Sequence, residues 1–190
     1  MQRYARELLV AFDALLDTRR DLTMRLLTPP VDPATLPALR NISHAPVGRR
    51  QGHLWEQIDL PRHVGGATLF CPGNTAPVGA LLGRGRVVVT VHDLSYLYFP
   101  DAYSRAFKLL YNQLIPLILR RADRVITVSQ SERRAIVEHY PFAAARLCAI
   151  QNGGLPVNIA EQTPAPATEP VVLYVGSLSR RKNFSGMLAA

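Results

Sequence analysis

The sequence predicts an α/β fold built on a parallel sheet. Two β-branched apolar runs, Val87–Val91 and Val125–Val128, each end in polar residues, His92-Asp93 and Ser129. A helical stretch, Tyr103–Arg120, joins them, giving a strand–helix–strand unit. Strand-like and helix-like patterns alternate along most of the remaining chain. Open α/β sheets bind ligands in the crevice outside the carboxyl ends of their strands, which places the working groups, His92 foremost, at that edge.

Taken in order, residues 3–16 read as a helix, because Tyr4, Leu8, Ala11, Phe12 and Leu15 recur three and four apart. Leu22–Leu27 reads as a strand stopped by Thr28-Pro29-Pro30. Residues 29–50 read as a loop around a short strand near Leu39–Ile42, and Gly52–Leu60 as a short helix carrying Trp55, the only tryptophan. Thr68–Cys71 is a brief strand closed by the turn Pro72-Gly73-Asn74. After the central unit, Ser129 followed by Glu132 has the capping-box spacing, and the helix it opens stops before Pro141. Leu147–Gln151 is the next strand, ended by Asn152-Gly153-Gly154. Residues 155–170 are a proline-rich linker, and Val171–Val175 opens a second unit that runs through Gly176-Ser177 to Arg181-Lys182 and a helix. The expected organisation is therefore an α/β domain over 1–154, a linker over 155–170 and the start of a second domain over 171–190.

Composition narrows the function classes. Hydrophobic residues make up 48% and charged residues 19%, a globular balance. Cys71 and Cys148 have no metal spacing and form no disulfide framework, so a reducing, cytoplasmic setting is expected. The net charge of +8 comes almost wholly from arginine and calls for anionic partners, or reflects arginine standing in for lysine. The arginines fall in scattered pairs (Arg120-Arg121 and Arg133-Arg134 among them) without interleaved aromatics, which disfavours nucleic acid and leaves peripheral contact with an anionic membrane as an expectation. A Rossmann dinucleotide loop, a P-loop and a Gly-x-Ser-x-Gly elbow are all missing.

The ordered set Val89-Thr-Val-His-Asp-Leu-Ser-Tyr96, Phe99-Pro100, Arg120-Arg-Ala-Asp-Arg-Val-Ile-Thr-Val-Ser129, Asn152-Gly153 and Leu173-Tyr-Val-Gly-Ser-Leu-Ser-Arg-Arg-Lys-Asn183 resembles the family 4 glycosyltransferases of GT-B architecture. Gln2–Leu9 resembles the helix after that family's first strand. Trp55-Glu56-Gln57, Leu60-Pro61 and Pro72-Gly73-Asn74 resemble its bacterial mannosyltransferase-like branch. The resemblance implies two Rossmann-like domains, with acceptor on the first and nucleotide sugar, GDP- or UDP-linked, on the second. It further implies retaining transfer of a hexose without a metal or other cofactor, onto a lipid-linked or polysaccharide acceptor, at the inner face of the plasma membrane.

By the same resemblance His92 and Asp93 lie at the reacting centre, Asp93 serving equally well to position its loop. Lys182, Arg181, Gly176 and Ser177 stand where the family holds the donor phosphates, with Ser177 in a position where the family often carries arginine. Arg3, Ser129 and Asn152 line the cleft; for Ser129 a helix cap explains the residue equally well, and Asn152-Gly153 reads first as a turn at the domain junction. The family's first strand and its two-glutamate donor motif have no counterpart in these 190 residues. The chain by itself is therefore expected to be a fragment that transfers no sugar. The alternative reading is an inactive remnant or a non-catalytic α/β binding module.

Overall fold

The computed structural model describes residues 2–153, 174–176 and 182–189. Its first element, α1 (Gln2–Leu15), lies against the sheet, with Phe12 edge-on to Phe70 at 6.1 Å. Six parallel strands follow: β1 (Arg25–Thr28), β2 (Ser43–Pro46), β3 (Leu69–Cys71), β4 (Val87–Val91), β5 (Arg124–Thr127) and β6 (Leu147–Ala149). They form two sheets, β1-β2 and β3-β4-β5-β6. Val88 pairs with Arg124 and Val125 with Leu147, so the strands of the larger sheet run in step. Among the described residues, β1 and β3 each keep one edge without a strand partner.

Short helices α2 (Gly52–Leu54), α3 (Pro61–Val64), α4 (Val78–Leu82) and α5 (Ser95–Tyr98) precede the two long crossover helices α6 (Arg105–Arg121) and α7 (Gln130–His139). Along α6, Tyr111, Leu114, Ile115, Ile118 and Leu119 are buried, one stripe at helical spacing. That stripe meets Val87, Val89 and Val91 of β4 and Val125 of β5 in a single core. Strand β4, flanked on both sides in the sheet, is almost wholly buried, as a central parallel strand must be. Ser104 caps α6 by accepting from the Phe107 N–H at 3.2 Å. No helix of the described residues is long and apolar enough to cross a membrane.

Three elements differ from the sequence expectation. The strand expected at Leu39–Ile42 lies instead at Ser43–Pro46. Asp13, only 5% exposed on α1, accepts the peptide N–H groups of Arg40, Asn41 and Ile42 at 2.7–3.0 Å. Those donors are committed to a carboxylate and are not available to a ladder. The strand expected from Leu22 begins at Arg25, because residues 16–22 continue the end of α1 through backbone turns, the last from the Leu22 N–H to the Arg19 carbonyl. The helix over 52–60 is broken by a π-turn at Trp55–Asp59, where the Leu60 N–H reaches back to the Trp55 carbonyl. This turn aims the Asp59 carboxylate at the Arg49 and Arg50 N–H groups and at the Arg50 guanidinium. Gly48, at φ +75°, passes so close to Asp59 that an added Cβ would sit 2.4 Å from its carboxylate oxygen.

In the second expected unit, Tyr174 and Val175 lie in irregular backbone, and the rest of the expected strand and of the linker falls outside the described residues. Helix α8 (Phe184–Ala189) follows Lys182 and Asn183, with Tyr174 packed against Phe184 at 5.0 Å.

Candidate functional site

Because β3 to β6 run parallel and in step, the segments after Cys71, Val91, Thr127 and Ala149 emerge at one edge of the sheet. This edge carries Pro72-Gly73-Asn74, His92-Asp93, Ser129 and Asn152. Helix α1 begins beside it, since the Tyr4 hydroxyl lies 3.4 Å from Thr90 Oγ1.

His92 is the most constrained of these groups. Its backbone N–H donates to Asn74 Oδ1 at 2.7 Å. Its Nε2 lies 2.9 Å from the Pro72 carbonyl. A carbonyl only accepts, so Nε2 carries the proton, and in the neutral ring Nδ1 presents a lone pair. Tyr4 packs edge-on against the imidazole at 4.7 Å. His92 is thus held by two separate segments, the Pro72–Asn74 turn and the start of α1, and its acceptor nitrogen is left for a ligand.

Asp93 Oδ1 accepts from the Ser95 N–H at 3.0 Å and the Ser95 hydroxyl at 2.5 Å. Ser95 in turn meets the Tyr103 hydroxyl at 2.7 Å. Tyr103 stacks on Phe107 and Phe107 on Tyr111, an aromatic column that ties this loop to α6. One carboxylate oxygen of Asp93 therefore holds the loop.

Ser129 Oγ accepts from the Glu132 N–H at 3.0 Å and so caps α7. The reciprocal half of the capping box is absent. Glu132 instead accepts the Leu94 N–H at 3.0 Å, clamping the loop of His92 and Asp93 to α7. Burial pushes the Glu132 carboxyl above its ordinary range; the Leu94 N–H opposes this and the nearby Asp93 adds to it. Glu132, Asn74, Tyr4 and Tyr103 are thus site residues missed as such in the sequence. A capping box signals a glutamate that bonds locally, and nothing in the spacing announces a partner 38 residues away.

Arg3 is exposed beside Tyr4 on the first turn of α1, and Asn152 is exposed past β6. Lys182 and Gly176 are exposed in the C-terminal segment, while Arg181 and Ser177 lie outside the described residues. Among the described residues no group of three or more His, Cys, Asp or Glu side chains is arranged to hold a metal.

The edge thus offers a fixed imidazole acceptor and two neighbouring carboxylates, a set suited to orienting the hydroxyls of a polar ligand. Comparison with known proteins gives it a family. The model for Glycosyltransferase Family 4 matches residues 3–153. The O-antigen chain mannosyltransferase RfbU of Salmonella typhimurium is 26% identical over 100 residues, 53% of this chain and 27% of that protein. The chain therefore aligns with only about a quarter of that relative's length. No solved structure gave a significant match. With its α/β architecture, its parallel sheets and a family match running from α1 to the end of the carboxyl-edge loops, this chain belongs to glycosyltransferase family 4.

Proposed function

We propose that this chain supplies the acceptor side of a glycosyltransferase that moves a hexose from a GDP- or UDP-linked donor to a lipid-linked or polysaccharide acceptor in surface-glycan synthesis. The observation that carries the reading is the locked His92 ring, whose Nδ1 lone pair is presented at the carboxyl edge of the sheet within the family-matched region. A sugar hydroxyl donating to Nδ1 would be oriented for transfer, and Arg3 and Asn152, exposed at the same edge, would contact the rest of the acceptor. The mannosyltransferase relative makes mannose the first donor sugar to test. Lys182 and Arg181 are the proposed holders of the donor diphosphate, since cations and peptide N–H groups at a helix start favour phosphate. Retention of configuration without metal belongs to the same proposal, as does cytoplasmic residence with peripheral docking on an anionic inner leaflet, for which the +8 charge speaks.

These 190 residues, taken alone, are proposed to bind acceptor without turning it over. Calorimetry with a lipid-diphosphate-linked saccharide, and mass spectrometry after adding GDP-mannose or a UDP-hexose, test both halves. Acceptor binding without a hexose increment is expected. A hexose increment would overturn the inactivity. Absence of binding to acceptor and to nucleotide sugar alike would favour a non-catalytic module, a reading that the open edges of β1 and β3 also support.

A further inference from the structure

At the opposite, amino-terminal edge of the sheet lies a cavity of about 560 Å³. Its walls come from the Gly83–Gly85 turn before β4, the end of α6, the start of β5 and the residue before β6. Five arginines line it: Arg84, Arg120, Arg121, Arg124 and Arg146. Strand β4 spans five residues, about 16 Å at ~3.3 Å per residue, so this cavity is well removed from His92.

The one lining carboxylate, Asp123, already accepts the Val87 N–H at 2.8 Å. Among the described residues none of the five arginines forms an ion pair. Three of them are held in place by neutral groups. Arg146 donates to the Arg120 and Ala122 carbonyls at the end of α6, and Arg124 donates to the Asp123 carbonyl at 2.9 Å. Arg120 stacks 4.5 Å over the Phe142 ring. One or two cations would complement the carboxyl end of α6. Five exposed arginines and one carboxylate line the concavity, a surplus of four positive charges.

We propose that this cavity is a phosphate-binding site distinct from the transfer site; a bilayer source for its ligand rests on the membrane docking proposed above, and a soluble diphosphate does not. Its ligand carries at least two phosphate groups close together, because a charge surplus of four exceeds the charge of about −2 on a single monoester. Guanidinium forks bind phosphate oxygens two at a time, and fixed forks do so without first being ordered. Such a group is presented by a free diphosphate or by the headgroups of an anionic bilayer.

The test uses the 190-residue chain and a variant carrying Arg84→Ala and Arg121→Ala, two side chains with no hydrogen bond within the described residues. Inorganic diphosphate is titrated by calorimetry, and phosphatidylglycerol vesicles are tested by co-sedimentation. Diphosphate binding weakened at least tenfold in the variant, at unchanged thermal midpoint, is the expected result and identifies a soluble ligand. Vesicle binding lost in the variant with diphosphate silent also supports the site and identifies a headgroup as its source. No binding of either, or binding indifferent to the two substitutions, would overturn the proposal.

Discussion

Replacing Glu132 by alanine removes the acceptor for the Leu94 N–H, a bond of 3.0 Å that joins the His92–Ser95 loop to α7. Leu94 is fully buried, so its donor would be left without water or protein partner. A hydrogen bond to a charged group contributes about 1.5–3 kcal/mol, and because Glu132 is itself half-buried the lower part of that range applies, about 2 kcal/mol. For a chain of this size that corresponds to a fall in thermal midpoint of about 4–8 °C. Glu132→Gln keeps an oxygen for the Leu94 N–H and removes a charge that burial disfavours, so its midpoint should lie within about 2 °C of the parent. Both variants also differ from the parent in pH dependence. Glu132 titrates above its ordinary value of 4.5 in the folded state, so the native protein holds that proton more tightly than the unfolded chain. Stability from this group is then greatest below 4.5 and falls as pH rises through the raised native value, a slope that both variants lack. Thermal melts of the three proteins from pH 4 upward test this. A glutamine variant as unstable as the alanine one, or an alanine variant within about 1 °C of the parent, would refute the clamp.

Other consequences follow from burial. Cys71 is buried, and desolvation pushes its thiol up to about 12, whereas Cys148 is exposed; a thiol reagent at pH 8 should label one cysteine per native chain, identified as Cys148 by peptide mapping. Leu119→Ala empties a fully buried site beneath the sheet and should cost about 2–5 kcal/mol, read from urea unfolding. Thr127 Oγ1 is buried and has no hydrogen-bond partner among the described residues, so Thr127→Val, nearly its isostere, should leave stability unchanged or raise it by about 1 kcal/mol. Asp13 titrates below its ordinary value of 3.8, chiefly because of the Arg40 N–H. Its contribution is present above 3.8 and lost as pH falls through the lowered native value, and Asp13→Asn should flatten that acid limb.

Where local chemistry decides an element, the sequence was readable. Strand β4 falls on Val87–Val91 as its β-branched run predicts, and α6 and α7 lie within two residues of their expected starts and ends, α7 because its cap, Ser129, and its following breaker, Pro141, agree. Where a distant side chain decides, it was not. Asp13 moves β2 from Leu39–Ile42 to Ser43–Pro46 by taking three peptide donors 27 to 29 residues away. Helices α4 and α5 escaped notice because five and four residues are too short to show a period. At the site, parallel topology alone brought His92, Asp93, Ser129 and Asn152 to one edge. The grip on His92 by Asn74, Pro72 and Tyr4 required the folded chain, since the Pro72–Asn74 turn advertises a bend and not a ligand. Of the five arginines of the amino-edge cavity only Arg120-Arg121 stood out in the sequence, as one scattered pair, because the five come from the segments leading into three different strands.

The most direct test of the His92 site is long-range 15N NMR of its imidazole, alone and with a lipid-diphosphate-linked saccharide. Nε2 should carry a proton, with the Nδ1 resonance alone moving as a sugar hydroxyl donates to it. A ring protonated at Nδ1 in the free chain, or an Nδ1 signal indifferent to saturating acceptor, would contradict this.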